Sequence, residues 1–113
     1  MIWFWEKPQR PSAPTHTTPE ARQAAAQISS CLDSADSLLT ELQQKTRLMG
    51  KEWAETKLTL LEASLGPPKI YYETAIRHSD KAEKDTARTF FKASRRYVKY
   101  RIREGRRWLK QQP

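Results

Sequence analysis

Glycine and cysteine are nearly missing from this sequence, which has three Gly and one Cys in 113 residues. An internal disulfide framework is excluded, since Cys31 has no second cysteine to meet. Its place between Ser30 and Leu32 in a helical pattern makes it a small hydrophobe. The shortage of glycine argues against a collagen-like repeat and against the Gly-rich loops that cradle phosphates in nucleotide-using enzymes. Long apolar runs are missing as well. Charged residues recur from Glu6 to Lys110, so no stretch approaches the roughly 18 apolar residues of a membrane-spanning helix. The first residues, Met1-Ile2-Trp3-Phe4-Trp5, lack a basic lead and are too short for a signal-peptide core, so no secretory route is expected.

The groups that catalysis needs are sparse. His16 lies in a Pro-rich stretch and His78 stands alone beside Ser79-Asp80. There is no Cys/His ligand spacing, no P-loop, no dinucleotide fingerprint and no nucleophile elbow. The carboxylates Asp33, Asp36, Asp80 and Asp85 read as solvated helix positions. A non-enzymatic protein without cofactor, metal or small-molecule substrate is expected.

What the chain does have is positive charge, and the excess is local. Residues 1–50 carry five basic and five acidic groups and residues 51–91 carry seven of each. Residues 92–113 carry nine basic groups against Glu104, which accounts for the whole formal charge of +8.

The remaining pattern is all-α. Pro8, Pro11, Pro14 and Pro19, with Ser, Thr and His between them, make residues 1–18 an aromatic N-terminus followed by an extended strap. A helix starts at its end, capped either by Thr18 with Pro19 at the first position or by a Thr17–Glu20 capping box. Ile28, Leu32, Leu39, Leu42, Met49, Trp53 and Leu60 recur at spacings of three and four or their sums. They predict one long amphipathic helix over residues 19–65 whose stripe packs on another helix, with Gly50 as the point at which it can kink. Residues 66–68, Gly-Pro-Pro, read as the turn that ends it, with Gly in the left-handed position.

A second long helix is expected over residues 69–111, giving an antiparallel hairpin whose C-terminal end returns beside the strap. Its first half lines up the small residues Ala75, Ser79, Ala82 and Thr86. Two helices make a thin core, so partners are expected to complete it.

The informative motif lies in the second half of that helix. On a helical wheel Lys92, Arg95, Arg96, Lys99, Arg103, Arg106, Arg107 and Lys110 share an arc of about 120°, with Arg101 and Glu104 outside it. Phe91, Val98, Ile102, Trp108 and Leu109 form an apolar and aromatic side. A basic amphipathic helix of this kind suits an anionic membrane surface, where apolar burial and charge attraction add. Trp3, Phe4 and Trp5 form a second apolar group that their own short element cannot shield, and they are expected to dock on a membrane interface or a partner.

The leading expectation is therefore an accessory subunit of a larger intracellular assembly. It docks on other protein subunits through its long helices and sets its basic helix on anionic lipid, at the periphery of an organellar, specifically mitochondrial, inner membrane. Two alternatives use the same cations: an RNA-associated, ribosomal-type protein gripping phosphates, and a soluble regulator whose basic helix enters an acidic groove of another protein.

Overall fold

The computed structural model describes residues 7–113, and among them every regular element is a helix. Residues 7–18 form no regular structure. They lead into α1 (Pro19–Met49), which is followed by α2 (Lys51–Ala63), α3 (Gly66–Ala75) and α4 (Lys81–Lys110).

α1 begins where Thr18, in extended backbone, accepts the Ala21 N–H at 3.3 Å and Pro19 takes the first helical position. Of the two expected caps, it is the Thr18 one that forms. Proline suits that place because its missing N–H has no partner in a first turn anyway.

The expected helix over 19–65 does not run through Gly50. There the backbone adopts φ +93° and ψ 163°, a region essentially closed to residues with a side chain, and the chain reverses. Successive contacts record the reversal: Lys57 pairs with Glu41 at 3.2 Å, the Cys31 thiol donates to the Ser64 carbonyl at 3.6 Å, and Tyr71 donates to Gln23 at 3.5 Å. As the number rises on α2 and α3 it falls on α1, so both run antiparallel to it.

Gly66-Pro67-Pro68 is consequently not the reversal. Gly66 has no positive φ and opens α3, and the two prolines sit in that helix's first turn, where they displace no helical N–H bond. The second reversal lies at residues 76–80, inside the stretch expected to be continuous helix. Asp80 ends it by capping α4, its carboxylate accepting the Glu83 N–H at 2.8 Å. The small-residue line is interrupted there, and Ala82 and Thr86 face solvent.

α4 then runs back alongside α1 in the same direction. Tyr97 donates to Asp36, Gly105 lies against Leu38 and Leu42, and Lys51, just past the first reversal, donates to the Gln112 carbonyl at 2.9 Å. The chain makes three runs where a two-helix hairpin was expected, and its C-terminal end meets the Gly50 turn.

Three runs close a core of their own. Ile28, Leu32, Leu38, Leu42, Leu58 and Val98 are fully buried, so the apolar seam does not wait for another protein to cover it. Of the expected packing residues, Ile28, Leu32 and Leu42 are in this core and Leu39 and Trp53 are half-buried. Met49 and Leu60 are corrected: they are 58% and 63% exposed. The reversal at Gly50 resets the phase of the buried stripe by one residue, so Ala54, Leu58, Leu61 and Leu65 point inward instead.

Gly105 sits where α1, α2 and α4 meet. A Cβ there would stand 2.9 Å from Leu58 Cδ2, 3.0 Å from Leu42 Cδ1 and 3.4 Å from Leu38 Cδ2. All three leucines are buried and have nowhere to retreat.

Gly50→Ala should destabilise the protein by about 1–3 kcal/mol in chemical denaturation, through strain at its positive φ. Gly66→Ala, at a position with open space around it, should change stability by no more than about 1 kcal/mol and in the favourable direction. Gly105→Val should cost about 1–3 kcal/mol by overpacking, despite valine's better helix propensity; an unchanged denaturation midpoint would contradict the close approach.

Candidate docking face on the basic helix

α4 is a helix with its charges in the favourable order. Glu83 lies in its first turn and Arg107 and Lys110 in its last, opposite in sign to the partial charges of the helix ends. Ala87, Phe90, Ser94, Val98, Ile102, Gly105 and Leu109 make its buried seam, and the Ser94 hydroxyl is satisfied by the Phe90 carbonyl at 2.8 Å.

This overturns part of the docking assignment. Val98, Ile102 and Leu109 are 1%, 3% and 5% exposed and belong to the protein's own core. Phe91 and Trp108 are half-buried against it. The apolar side of α4 is already used by α1 and α2, which is the ordinary fate of an amphipathic helix in a folded domain. Trp3, Phe4 and Trp5 lie outside the described residues.

The cationic side is a different matter. Lys92, Arg95, Arg96, Lys99, Arg103, Arg106, Arg107 and Lys110 are all exposed, on one side of one helix. Arg106 pairs with Glu62 of α2 at 3.1 Å. Among the described residues the other seven make no ion pair. Arg101, off the arc, points inward. It bonds the Ala35 and Asp36 carbonyls at 3.2 and 2.9 Å and the Glu104 carboxylate at 2.8 Å, so the single acid of this segment is spent on a structural arginine. The face therefore keeps its charge.

Depressions lie on both of its sides. On one side Lys7 and Pro8 of the strap, with Arg96, Tyr100, Arg103, Glu104 and Arg107, surround a recess of about 370 Å³. On the other side α4 faces α3 across a recess of about 200 Å³, where Lys69 Nζ stands 5.7 Å from the Phe91 ring centroid.

The strap is fixed by side chains that sequence reasoning passed over. Arg10 reaches Asp33 at 2.7 Å and also Asp36, both on α1. His16 is 3% exposed: its Nδ1 donates to Glu83 of α4 at 3.0 Å and its Nε2 bonds the Tyr72 hydroxyl of α3. Its ring meets Tyr72 edge-on at 5.3 Å, and Tyr72 meets Phe90 at 6.4 Å. The His–Glu–Tyr grouping ties the strap to α3 and α4. His78 is exposed in the second reversal. Among the described residues no group of three or more His, Cys, Asp or Glu is placed to hold a metal, and no helix is long and apolar enough to cross a membrane.

Comparison with protein-family models, with curated proteins and with solved structures gives no match. The chemistry of this face has to be read from its own geometry.

Two ionisations follow from the anchor geometry. Burial pushes the Tyr72 hydroxyl up to about 12, helped by the nearby Glu83 charge. Burial also pushes the Asp36 carboxyl up, but hydrogen bonds from Tyr97 and Arg10 and the charges of Arg10 and Arg101 outweigh it, and the net position is below the usual carboxylate value. For Asp36 the stabilisation is present above the unfolded value of about 3.9 and is lost as pH falls through the lower folded value. For Tyr72 the unfolded hydroxyl ionises near pH 10 while the folded one does not, so stability falls between about pH 10 and 12. Denaturation midpoints across pH should show both losses; Asp36→Asn should remove the acid one, and Tyr72→Phe should reduce the alkaline one, to which the Tyr97 hydroxyl, also raised by burial and its bond to Asp36, contributes.

Proposed function

We propose that this protein is a non-enzymatic accessory subunit of a larger assembly that rests the cationic face of α4 on an anionic membrane surface. The observation that carries the reading is the set of seven exposed cations on one helix face that have no carboxylate partner among the described residues. Each Lys or Arg held near an anionic bilayer contributes about 1 kcal/mol, and the contribution fades within a Debye length.

The mode of contact differs from an amphipathic helix lying in the headgroups. Because Val98, Ile102 and Leu109 are enclosed in the core, α4 contributes charge and not insertion, with the folded domain standing on the surface. An organellar inner membrane such as the mitochondrial one is the setting this chemistry suits, and the other subunits of the assembly hold the remaining faces.

A second reading has one observation of its own. Tyr100 is half-buried in a recess lined by Lys7, Arg96, Lys99, Arg103 and Arg107, with Glu104 engaged by Arg101, an aromatic ring among cations, the combination that grips single-stranded RNA by stacking and phosphate contact.

Sedimentation of the full chain with vesicles tests the first reading. Binding should require an anionic lipid fraction, be absent on zwitterionic vesicles, and be reversed by raising salt, since the apolar seam of α4 is not free to insert. Arg103→Gln with Arg107→Gln should weaken it by roughly 2 kcal/mol, a factor of about 30. Salt-resistant binding would contradict attachment through the charge of α4. Absence of vesicle binding alongside tight binding to single-stranded RNA that is lost in Tyr100→Ala would establish the second reading instead.

A further inference from the structure

The recess between the strap and α4 takes its walls from two elements. Lys7 stands on the strap side, and Arg96, Lys99, Arg103 and Arg107 on the α4 side. Its 370 Å³ falls within the size of small-ligand clefts, about 300–1,000 Å³. Positions 96, 100, 103 and 107 are four, three and four residues apart, so they fall in one line along α4. From Arg96 to Arg107 that line covers about 16 Å, with Tyr100 half-buried between Arg96 and Arg103.

Convergence separates this cluster from a solvated row of charges. Lys7 reaches the recess from the strap, and the strap is pinned three residues further on, where Arg10 pairs with Asp33 at 2.7 Å and with Asp36. Pro8 lies between Lys7 and that anchor and restricts the backbone there. The cations are thus brought to one cleft before a ligand arrives, and a site assembled in advance loses less freedom on binding. The ion pairs formed among the described residues include none of these five side chains. Glu104 lines the same recess, but its carboxylate already accepts from Arg101 at 2.8 Å.

We propose that this recess binds a compact headgroup carrying two or more phosphates. The inference rests on the reading of α4 as a membrane-facing helix, in which the source is a lipid, and it narrows the partner from any anionic surface to one lipid class. Two features choose the ligand. Five cations face one cleft, and a headgroup with a single phosphodiester would leave most of them unmatched. Three of the five are arginines, whose planar guanidinium offers paired N–H donors to phosphate oxygens, where lysine offers a point charge.

The test is sedimentation of the full chain with phosphatidylcholine vesicles that contain either phosphatidylglycerol or half as many molecules of diphosphatidylglycerol, which makes the surface charge equal. Binding to the two-phosphate lipid should be about tenfold tighter, the worth of one charge-assisted hydrogen bond. Arg96→Gln with Arg103→Gln should abolish that preference. Lys92→Gln with Lys110→Gln, cations of the same face that do not line the recess, should weaken binding to both vesicles alike and keep the preference. Circular dichroism should be unchanged in both pairs, since all four side chains are exposed. Calorimetric titration with inositol bisphosphate tests a soluble source.

Equal binding to the two vesicles, or a preference lost equally in the Lys92 and Lys110 pair, reduces the effect to surface charge; that overturns the recess as a site and leaves the membrane reading standing. No vesicle binding, with calorimetric binding of inositol bisphosphate that Arg96→Gln with Arg103→Gln abolishes, upholds the recess with a soluble phosphate ester as its ligand and removes the membrane reading. Failure of both probes overturns the recess and the membrane reading together, whether or not single-stranded RNA binds.

Discussion

The structure depends on one backbone angle. At Gly50 the chain takes φ +93°, and through that reversal α2 and α3 lie back along α1 instead of prolonging it. Two antiparallel runs alone would present a shallow apolar trough. α4 fills it, and its buried seam from Ala87 to Leu109 completes a core that neither run encloses by itself. The approach is close enough at Gly105 that a methyl group would press on Leu58 and Leu42, one from each of the other two runs. The reversal and the contact are complementary: one glycine permits the backbone path, the other permits the helices to meet at its centre.

Packing α4 this way divides its chemistry by side. Most of its apolar residues are consumed by the fold, with Phe91 and Trp108 half-exposed, while its cations stand on the outer side. Arg101 shows how strictly the division is kept, since it lies off the cationic arc, takes up Glu104 and two α1 carbonyls, and leaves seven of the eight outer cations without an ion pair among the described residues. A helix whose sole purpose was stability would gain from pairing those cations with carboxylates one turn away. The cations on the two flanks of α4 have different neighbourhoods, Tyr100, Glu104 and the strap for Arg96, Arg103 and Arg107, and Phe91, Lys69 and Glu73 for Lys92 and Arg95.

Much of this was legible before the structure, and the rest was hidden for physical reasons. The helical class, the start at Thr18-Pro19 and the exposed cationic arc all follow from local signals that tertiary packing did not override. The reversal at Gly50 was read as a kink, because a lone glycine in a periodic stretch looks like a tolerated weakness. The clue was the phase of the apolar residues: beyond Gly50 the sequence offers both Trp53 and Leu60 on the old stripe and Ala54, Leu58 and Leu61 on a new one, and only packing chooses. The second reversal contains neither glycine nor proline, but Asp80 followed by Glu83 is a cap signal that marks the start of α4. Gly66-Pro67-Pro68 misled in the opposite direction, since the same residues that end a helix also open one. The roles of Val98, Ile102 and Leu109 were ambiguous in principle, because an amphipathic helix looks the same whether its apolar side meets lipid or its own domain. His16 gave no signal at all; its partners are distant in sequence.

That distance has a kinetic meaning. His16 bonds Glu83 across 67 residues and Tyr72 across 56, whereas the turns at Gly50 and at residues 76–80 join elements that follow one another directly. Contacts between sequence neighbours close first because they restrict less chain. The imidazole has no pocket until α3 and α4 stand side by side, so a seated strap requires that those two helices have already met.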